Sequence, residues 1–545
     1  SHNTTFSLYT NQGWVNFKNV FQGFFGSGGA GSGKSVSLVE PVLWQVAQKN
    51  MPGLLFDFKN WELTRQVIAF FHYHRSQLKK RQEKWDQSVW SLLPKAMQQL
   101  KPRPKAVVDK EVDIKVIDFM NPQSSHRINF LQPRIIDNLI KVDSVIKKFL
   151  TALSPADAEK KDIWFNGSVA LFKGGLLFFK KHHPEHCTFP HILVFLTMIP
   201  TDTIKALFSQ DDDVTMVADV YMKAPEKTAG SIAASLSSSL SQLVDPRIFW
   251  VLSGDDVDFA LNDKDNPALL CLVTDEEFAQ SLSPLASIIS ITCLNAMNKK
   301  GRYPSVALFD EFPQIFLDDI DRLPATCRSN KVGIMCVIQD MAQLLKEYGE
   351  KRTKALCANL LNKLYFKATD KDTQVSMSDL MGEIDVIKES QSRGTGDGSS
   401  NFSVNREKYL NADDVLNFSE GEGLGVKSTG KQERRFHSQF STLFRLYDGR
   451  KHIKGTGYPG MPESEAVFEA IPSSPIVFNH EANEQCVQDN YESIKKEVQH
   501  IVRLEEAKIA EQQQTEEEDI AVRTDADMLE AFGTDVLAGG KTDDG

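Results

Sequence analysis

Short unbroken apolar runs alternate with stretches of helical periodicity along the first third of the chain. Phe21–Ser27 (FQGFFGS) is an apolar run that ends in glycine-rich sequence. From Ser35 to about Lys49, Val39, Val42, Leu43 and Val46 share one helical face, and Gly53–Phe58 (GLLFDF) is a second apolar run. A run of four to eight apolar residues bounded by turn signals reads as a strand buried on both faces, and spacings of three and four read as an amphipathic helix. Strand, loop, helix and strand in that order predict the opening of an α/β nucleotide-binding domain. Further strands are predicted at Asp113–Phe119, Ala268–Val273, Ser305–Phe309, Gly333–Ile338 and Leu364–Lys367.

Between about 135 and 245 the strand signal disappears. SVIKKFL, FNGSVALFKGGLLFFKK, HILVFLTMI and AGSIAASLSSSLSQLV follow one another with helical character. The expected architecture is therefore an α/β domain formed by residues 1–134 and 246–460, interrupted by an all-α domain at 135–245. The Gly/Ser-rich segment Ser392–Ser403 reads as a loop. Residues 461–545 form a tail, in which Val487, Tyr491, Ile494, Val498 and Ile501 make a two-heptad stripe. Such a stripe docks on its own domain or on a partner helix. The acidic TEEEDI and TDDG segments beyond it predict a tail that is partly helical or disordered.

Charge changes this picture in one respect. The 545 residues carry 62 Lys and Arg against 73 Asp and Glu, a net charge of −11 that argues against nucleic-acid binding. The average conceals a split: residues 461–545 hold 6 basic and 21 acidic side chains, and the remaining body is faintly basic at +4. Within the body, residues 72–110 hold 10 basic and 3 acidic side chains. That segment is either a solvated helix face or a basic arm aimed at the phosphates of nucleic acid or lipid. The seven cysteines are scattered with no CxxC pair, as expected of buried reduced thiols. No run of about 18 apolar residues could span a bilayer. The abrupt start, with a phosphate-loop motif by residue 28, predicts a soluble piece of a longer protein.

The candidate chemistry centres on that motif. Gly28-Gly-Ala-Gly-Ser-Gly33-Lys34-Ser35 satisfies GxxxxGK[ST] between a predicted strand and a predicted helix. Gly28, Gly31 and Gly33 let backbone N–H groups turn toward phosphate oxygens; Lys34 reaches the β- and γ-phosphates, and the Ser35 hydroxyl ligates Mg²⁺. Val306-Ala-Leu-Phe-Asp310-Glu311 is an apolar strand ending in two carboxylates. Asp310 is expected in the Mg²⁺ shell, and Glu311 is expected to polarise the attacking water. Gln339 ends the strand Gly333–Ile338 and faces the same crevice, where it could sense the γ-phosphate or cap the next helix. Arg328, in ATCRSNKVG, is a candidate arginine finger or a structural ion pair, and Lys363 is a weaker candidate for the finger. His182-His-Pro-Glu-His186-Cys187 has metal-ligating residue types without a second pair at fitting spacing, and reads as a helix end followed by a loop. The guanine-reading NKxD motif is absent, which favours ATP over GTP.

GSGGAGSGKS, LLFDFKNWELT, VALFDEFPQIF and LPATCRSNKVGIMCVIQDMAQLLKEYGEKRTKAL together resemble the type IV secretion coupling proteins of the TraG/TraD group. The resemblance covers most of residues 10–455 in the same order. It implies a RecA-like P-loop ATPase domain with an inserted all-α domain, ATP and Mg²⁺ as cofactors, and a homo-hexamer at the cytoplasmic face of the bacterial inner membrane. It also implies delivery of DNA, single- or double-stranded, with its relaxase to the components of a secretion channel. By position, Lys34 and Ser35 would bind the nucleotide phosphates and Mg²⁺, Asp310 and Glu311 would form the Walker B pair, and Gln339 would be the sensor. Relatives usually carry an N-terminal membrane anchor, which is not expected within these residues, and some place an arginine in the segment corresponding to ALCANLLNKLYF, which holds none here. Two further readings stay open: a coupling ATPase for protein effectors recruited by adaptors on the tail, and a nucleotide-gated scaffold with little turnover.

Overall fold

The computed structural model describes residues 4–538 except 161, 275, 393–398, 429–432, 449–450, 470–475, 477 and 479–480. The chain divides into two compact units, one of residues 1–130, 147–155 and 250–483, the other of residues 131–146, 156–249 and 484–545.

The first unit is built on a nine-stranded sheet. Its strands are β1 (Phe24–Ser27), β2 (Gly53–Asp57), β3 (Asp113–Asp118), β4 (Ala268–Val273), β5 (Ser305–Phe309), β6 (Val332–Ile338), β7 (Asn362–Phe366), β8 (Glu422–Ser428) and β9 (Glu433–Gln439). The spatial order is β9-β8-β7-β1-β6-β5-β2-β4-β3. From β7 across to β3 every neighbouring pair is parallel, whereas β8 runs antiparallel to both β7 and β9. Every residue of β2, β4, β5 and β6 is buried, which is why these strands read as unbroken apolar runs: helices cover both faces of a parallel sheet.

β8 and β9 escape that reading. EGLGVKS and ERRFHSQ contain no apolar run, and their pairing rests on backbone hydrogen bonds rather than on side-chain pattern. The same reason corrects the expected loop at Ser392–Ser403. Glu383–Ser392 and Ser399–Lys408 form an antiparallel hairpin in which Ser392 pairs with Ser399, and the intervening 393–398 lie outside the described residues.

Close packing between β2 and β5 depends on Gly53. Its φ is +154°, and a Cβ there would lie 1.8 Å from the Val306 carbonyl oxygen, a backbone atom with no freedom to yield. Gly53→Ala is expected to destabilise this unit by ~3 kcal/mol or more, measured as a lower denaturation midpoint.

The second unit is helical, with Ile163–His182, Phe189–Met198, Thr201–Phe208 and Glu226–Leu240 among its elements. Asp162 caps the first of these by accepting from the Phe165 amide at 2.9 Å. Phe178 and Phe195 stack at 5.5 Å inside the bundle. The stretch read from the sequence as one tail divides: Ser464–Phe468 belongs to the sheet unit, and the long helix Glu484–Ala538 belongs to the helical unit. Val487, Ile494, Val498 and Ile501 are all buried, and Tyr491 packs on Phe249 with ring centroids 5.0 Å apart. The stripe is therefore spent on its own unit. The acidic TDDG end lies outside the described residues.

The basic segment begins on helix Glu62–Asp86, whose first half buries Leu63, Val67, Phe70 and Phe71 against the sheet unit's core. Arg75 is structural: its guanidinium lies over the Phe71 ring and pairs with Glu111 at 3.1 Å. Lys79, Lys80, Arg81 and Lys84 are exposed. All seven cysteines are free thiols, five of them buried. Among the described residues no helix is long and apolar enough to cross a membrane.

Candidate nucleotide site

The loop between β1 and the next helix lies at the carboxyl edge of the parallel strands, where open α/β sheets bind ligands. Its backbone is tied to the two strands beside β1. The Gly28 amide donates to the Ile338 carbonyl at 3.2 Å, and the Gly29 amide donates to the Lys367 carbonyl at 2.9 Å. A π-helical turn, Ser35–Val39, then leads into helix Glu40–Gln48. The segment before β8 closes over the loop from the other side, the Gly421 amide donating to the Ser32 carbonyl at 2.9 Å. Gly33 has a φ of +83°, and a Cβ on it would stand 2.8 Å from the Gly421 nitrogen, so a side chain is excluded twice over.

Lys34 is buried, and its Nζ donates to Glu311 Oε1 at 2.9 Å and to the Ile338 carbonyl at 3.1 Å. Glu311 follows β5 with a φ of +51°, a left-handed conformation that a non-glycine residue holds only where its surroundings impose it. The Asp310 amide donates to the Phe56 carbonyl at 3.2 Å, which ties the end of β5 to β2. Asp310 is 1% exposed, and among the described residues neither of its carboxylate oxygens has a hydrogen-bond partner. Burial pushes its pKa up to about 6; Lys59 and Lys34 oppose that rise, while Glu311 and Asp57 add to it. Asp57 is raised as well, chiefly by burial, although the Thr64 and Lys59 amides donate to its carboxylate at 2.8 and 3.1 Å.

Those orphaned Asp310 oxygens test the fit of a divalent cation. Two hard oxygen donors, the Asp310 carboxylate and the Ser35 hydroxyl, suit Mg²⁺, which takes one or two protein ligands and completes its shell with phosphates and water. Lys59 Nζ donates to Ser35 Oγ at 3.1 Å, so a cationic group already lies against the hydroxyl. A cavity of about 350 Å³ opens here, lined by residues 29–36 with Lys59, Glu311, Gln339 and Glu420.

The structure thus brings Gly28, Gly31, Gly33, Lys34, Ser35, Asp310, Glu311 and Gln339 to one place. It does not bring Arg328 there. That residue is exposed on helix Leu323–Ser329, which leads into the amino-terminal end of β6, whereas the site lies at the carboxyl end. Seven residues of strand separate the two ends by roughly 20 Å. Lys363 lies near the start of β7, likewise away from the carboxyl edge. Sequence reading missed Lys59 and Glu420. Lys59 stands two residues past the end of β2, so the strand-end rule that found Gln339 would have found it too. Glu420 precedes a strand with no apolar signature and left no signal.

A parallel sheet carrying a GxxxxGKS loop after β1 and an Asp-Glu pair after β5, the next strand but one, defines an α/β RecA-like P-loop protein. Residues 108–424 match the family described as Type IV secretory system Conjugative DNA transfer, and the chain belongs to that family. Its fold is similar to the bacterial conjugative coupling protein TrwBdeltaN70 in an unbound form, at 14% identity and a TM-score of 0.57 over 79% of this chain and 88% of that one. It is also similar to the plasmid coupling protein TrwB in complex with ADP and Mg²⁺, at 15% identity and a TM-score of 0.54 over 79% and 87%. The complex of TrwB with a non-hydrolysable ATP analogue aligns at 14% identity and a TM-score of 0.54 over 77% and 87%. No curated protein matches the chain.

Proposed function

We propose that this protein is an ATP-hydrolysing coupling protein that hands DNA, with its bound relaxase, to a conjugative secretion channel at the inner membrane. The observation that carries the reading is the buried, unpartnered Asp310 carboxylate beside the phosphate loop of a chain in the conjugative DNA transfer family. The loop amides and Lys34 would hold the β- and γ-phosphates. Ser35 and Asp310 would hold Mg²⁺, which supplies charge neutralisation across those phosphates. Without nucleotide, Lys34 occupies Glu311 Oε1. Drawing Lys34 onto the γ-phosphate would release that carboxylate to take a proton from the attacking water, and Gln339 at the cavity wall would hold that water or the γ-phosphate. Arg328, exposed at the far edge of the sheet, would serve as a finger only for a neighbouring copy in a hexamer.

The exposed Lys79, Lys80, Arg81 and Lys84 give DNA phosphates a sequence-independent partner. Turnover by the full chain is expected to rise with single- or double-stranded DNA, to weaken steeply with salt, and to exceed that of Lys34→Ala at least tenfold. Equal ATPase rates in the two proteins, with and without DNA, would sink the reading. The alternative of adaptor recruitment through the tail stripe loses its main support, because those residues are buried within the helical unit.

A further inference from the structure

We propose that His186, His191 and Glu497 form a Zn²⁺ site that fastens the C-terminal helix to the rest of the helical unit. His186 ends the short turn Pro184–His186, and His191 lies in the first turn of Phe189–Met198. Glu497 arrives on helix Glu484–Ala538, some three hundred residues further along. Their ligand atoms lie within 4.8 Å of one another. His191 Nε2 is 2.8 Å and His186 Nε2 is 3.8 Å from Glu497 Oε2. Tetrahedral coordination with bonds of about 2.0–2.1 Å places ligand atoms about 3.3 Å apart, which these separations bracket.

The outer partners distinguish this group from a chance encounter of side chains. His186 Nδ1 lies 3.0 Å from Glu185 Oε1, and His191 Nδ1 lies 2.7 Å from the Thr188 hydroxyl. Glu497 Oε1 accepts from the Ser493 hydroxyl, which leaves Oε2 facing the two rings. A histidine that ligates a metal through one nitrogen ordinarily anchors the other on a carboxylate or similar acceptor, which fixes the tautomer. Here each of the three ligands has its second atom held in this way and its first atom turned toward a common centre. One carboxylate oxygen faces two imidazoles, 2.8 Å from one and 3.8 Å from the other, so a cation set among them would engage all three groups at once. Two imidazoles and one carboxylate suit Zn²⁺ better than the harder Mg²⁺. His191 is buried while His186 and Glu497 are partly exposed, so an ion could enter from solvent and keep water in a fourth position.

The test is Zn²⁺ titration of the chelator-treated full chain by calorimetry, with Mg²⁺ and ADP present to fill the phosphate-loop site, and Co²⁺ as a spectroscopic substitute. The expected result is one Zn²⁺ per chain at micromolar affinity or tighter, the intense visible bands of four-coordinate Co²⁺, and at least tenfold slower amide exchange over residues 487–502. His186→Gln and Glu497→Gln should each weaken binding by a hundredfold or more while the metal-free melting temperature of His186→Gln, at a partly exposed site, stays unchanged. A wild-type chain that takes up no Zn²⁺ at micromolar concentration would overturn the proposal. So would uptake of equal affinity in wild type and both variants, which would place the ion elsewhere.

Discussion

Glu311→Gln is expected to slow ATP hydrolysis by roughly 10²–10⁴-fold, the usual contribution of a positioned general base, while nucleotide affinity stays within about threefold. The carboxylate is buried at the end of β5, with one oxygen on Lys34 and the other without a hydrogen-bond partner among the described residues. Glutamine keeps the shape and can still accept from Lys34, so the phosphate loop keeps its geometry; only the basic oxygen is removed. Lys34→Ala should behave differently. It leaves Glu311 as a buried charge without its cation, a loss of about 3–5 kcal/mol of stability in addition to the phosphate contact. Single-turnover hydrolysis set beside equilibrium binding of a fluorescent ATP analogue separates the two variants. Turnover by Glu311→Gln within threefold of wild type would remove Glu311 from the chemistry.

Asp310→Asn is expected to stabilise the nucleotide-free protein near pH 7 by about 1–3 kcal/mol and to abolish Mg²⁺-dependent nucleotide binding. The sign follows from the carboxyl's upward shift from 3.8 to about 6. Below pH 4 the group is protonated whether the chain is folded or not, and burying it carries no charge penalty. As pH rises through 6 the folded protein must ionise it in a site with no hydrogen-bond donor, so the stability present at low pH is lost. Asparagine avoids that cost at neutral pH and gains nothing at pH 4. In wild type, Mg²⁺ needs the ionised form, so its affinity with nucleotide should rise about tenfold per pH unit below 6 and level off above 7. Thermal melts at pH 4 and pH 7, each with and without Mg²⁺ and ATP, read both effects. A variant that melts no higher than wild type at pH 7 would mean that Asp310 carries no such penalty.

The two predictions rest on residues that were legible before any fold was known, and the reason is local. A phosphate loop needs its glycines, lysine and hydroxyl within eight consecutive residues, and a strand covered on both faces must be an unbroken apolar run. Both constraints are written in contiguous sequence, which is why β1, β2, β4, β5 and β6 and the carboxylates after β5 could be read directly. β8 and β9 could not, since glycine and polar residues separate their few core-facing side chains, Leu424, Val426 and Phe436, and leave no apolar run to read.

The linear chain thus contains the nucleotide chemistry, the parallel-sheet class and a helical stretch from about 135 to 245. Folding alone decides which distant segments meet. It sets Lys59 on the Ser35 hydroxyl and Gly421 on the phosphate loop, and it leaves Arg328 at the opposite edge of the sheet. It also returns the acidic C-terminal stretch to the helical unit, where Glu497 meets His186 and His191. Neither charge nor periodicity encodes such pairings. They depend on which buried surfaces complement one another across hundreds of residues, and that is a property of packing rather than of any window of sequence.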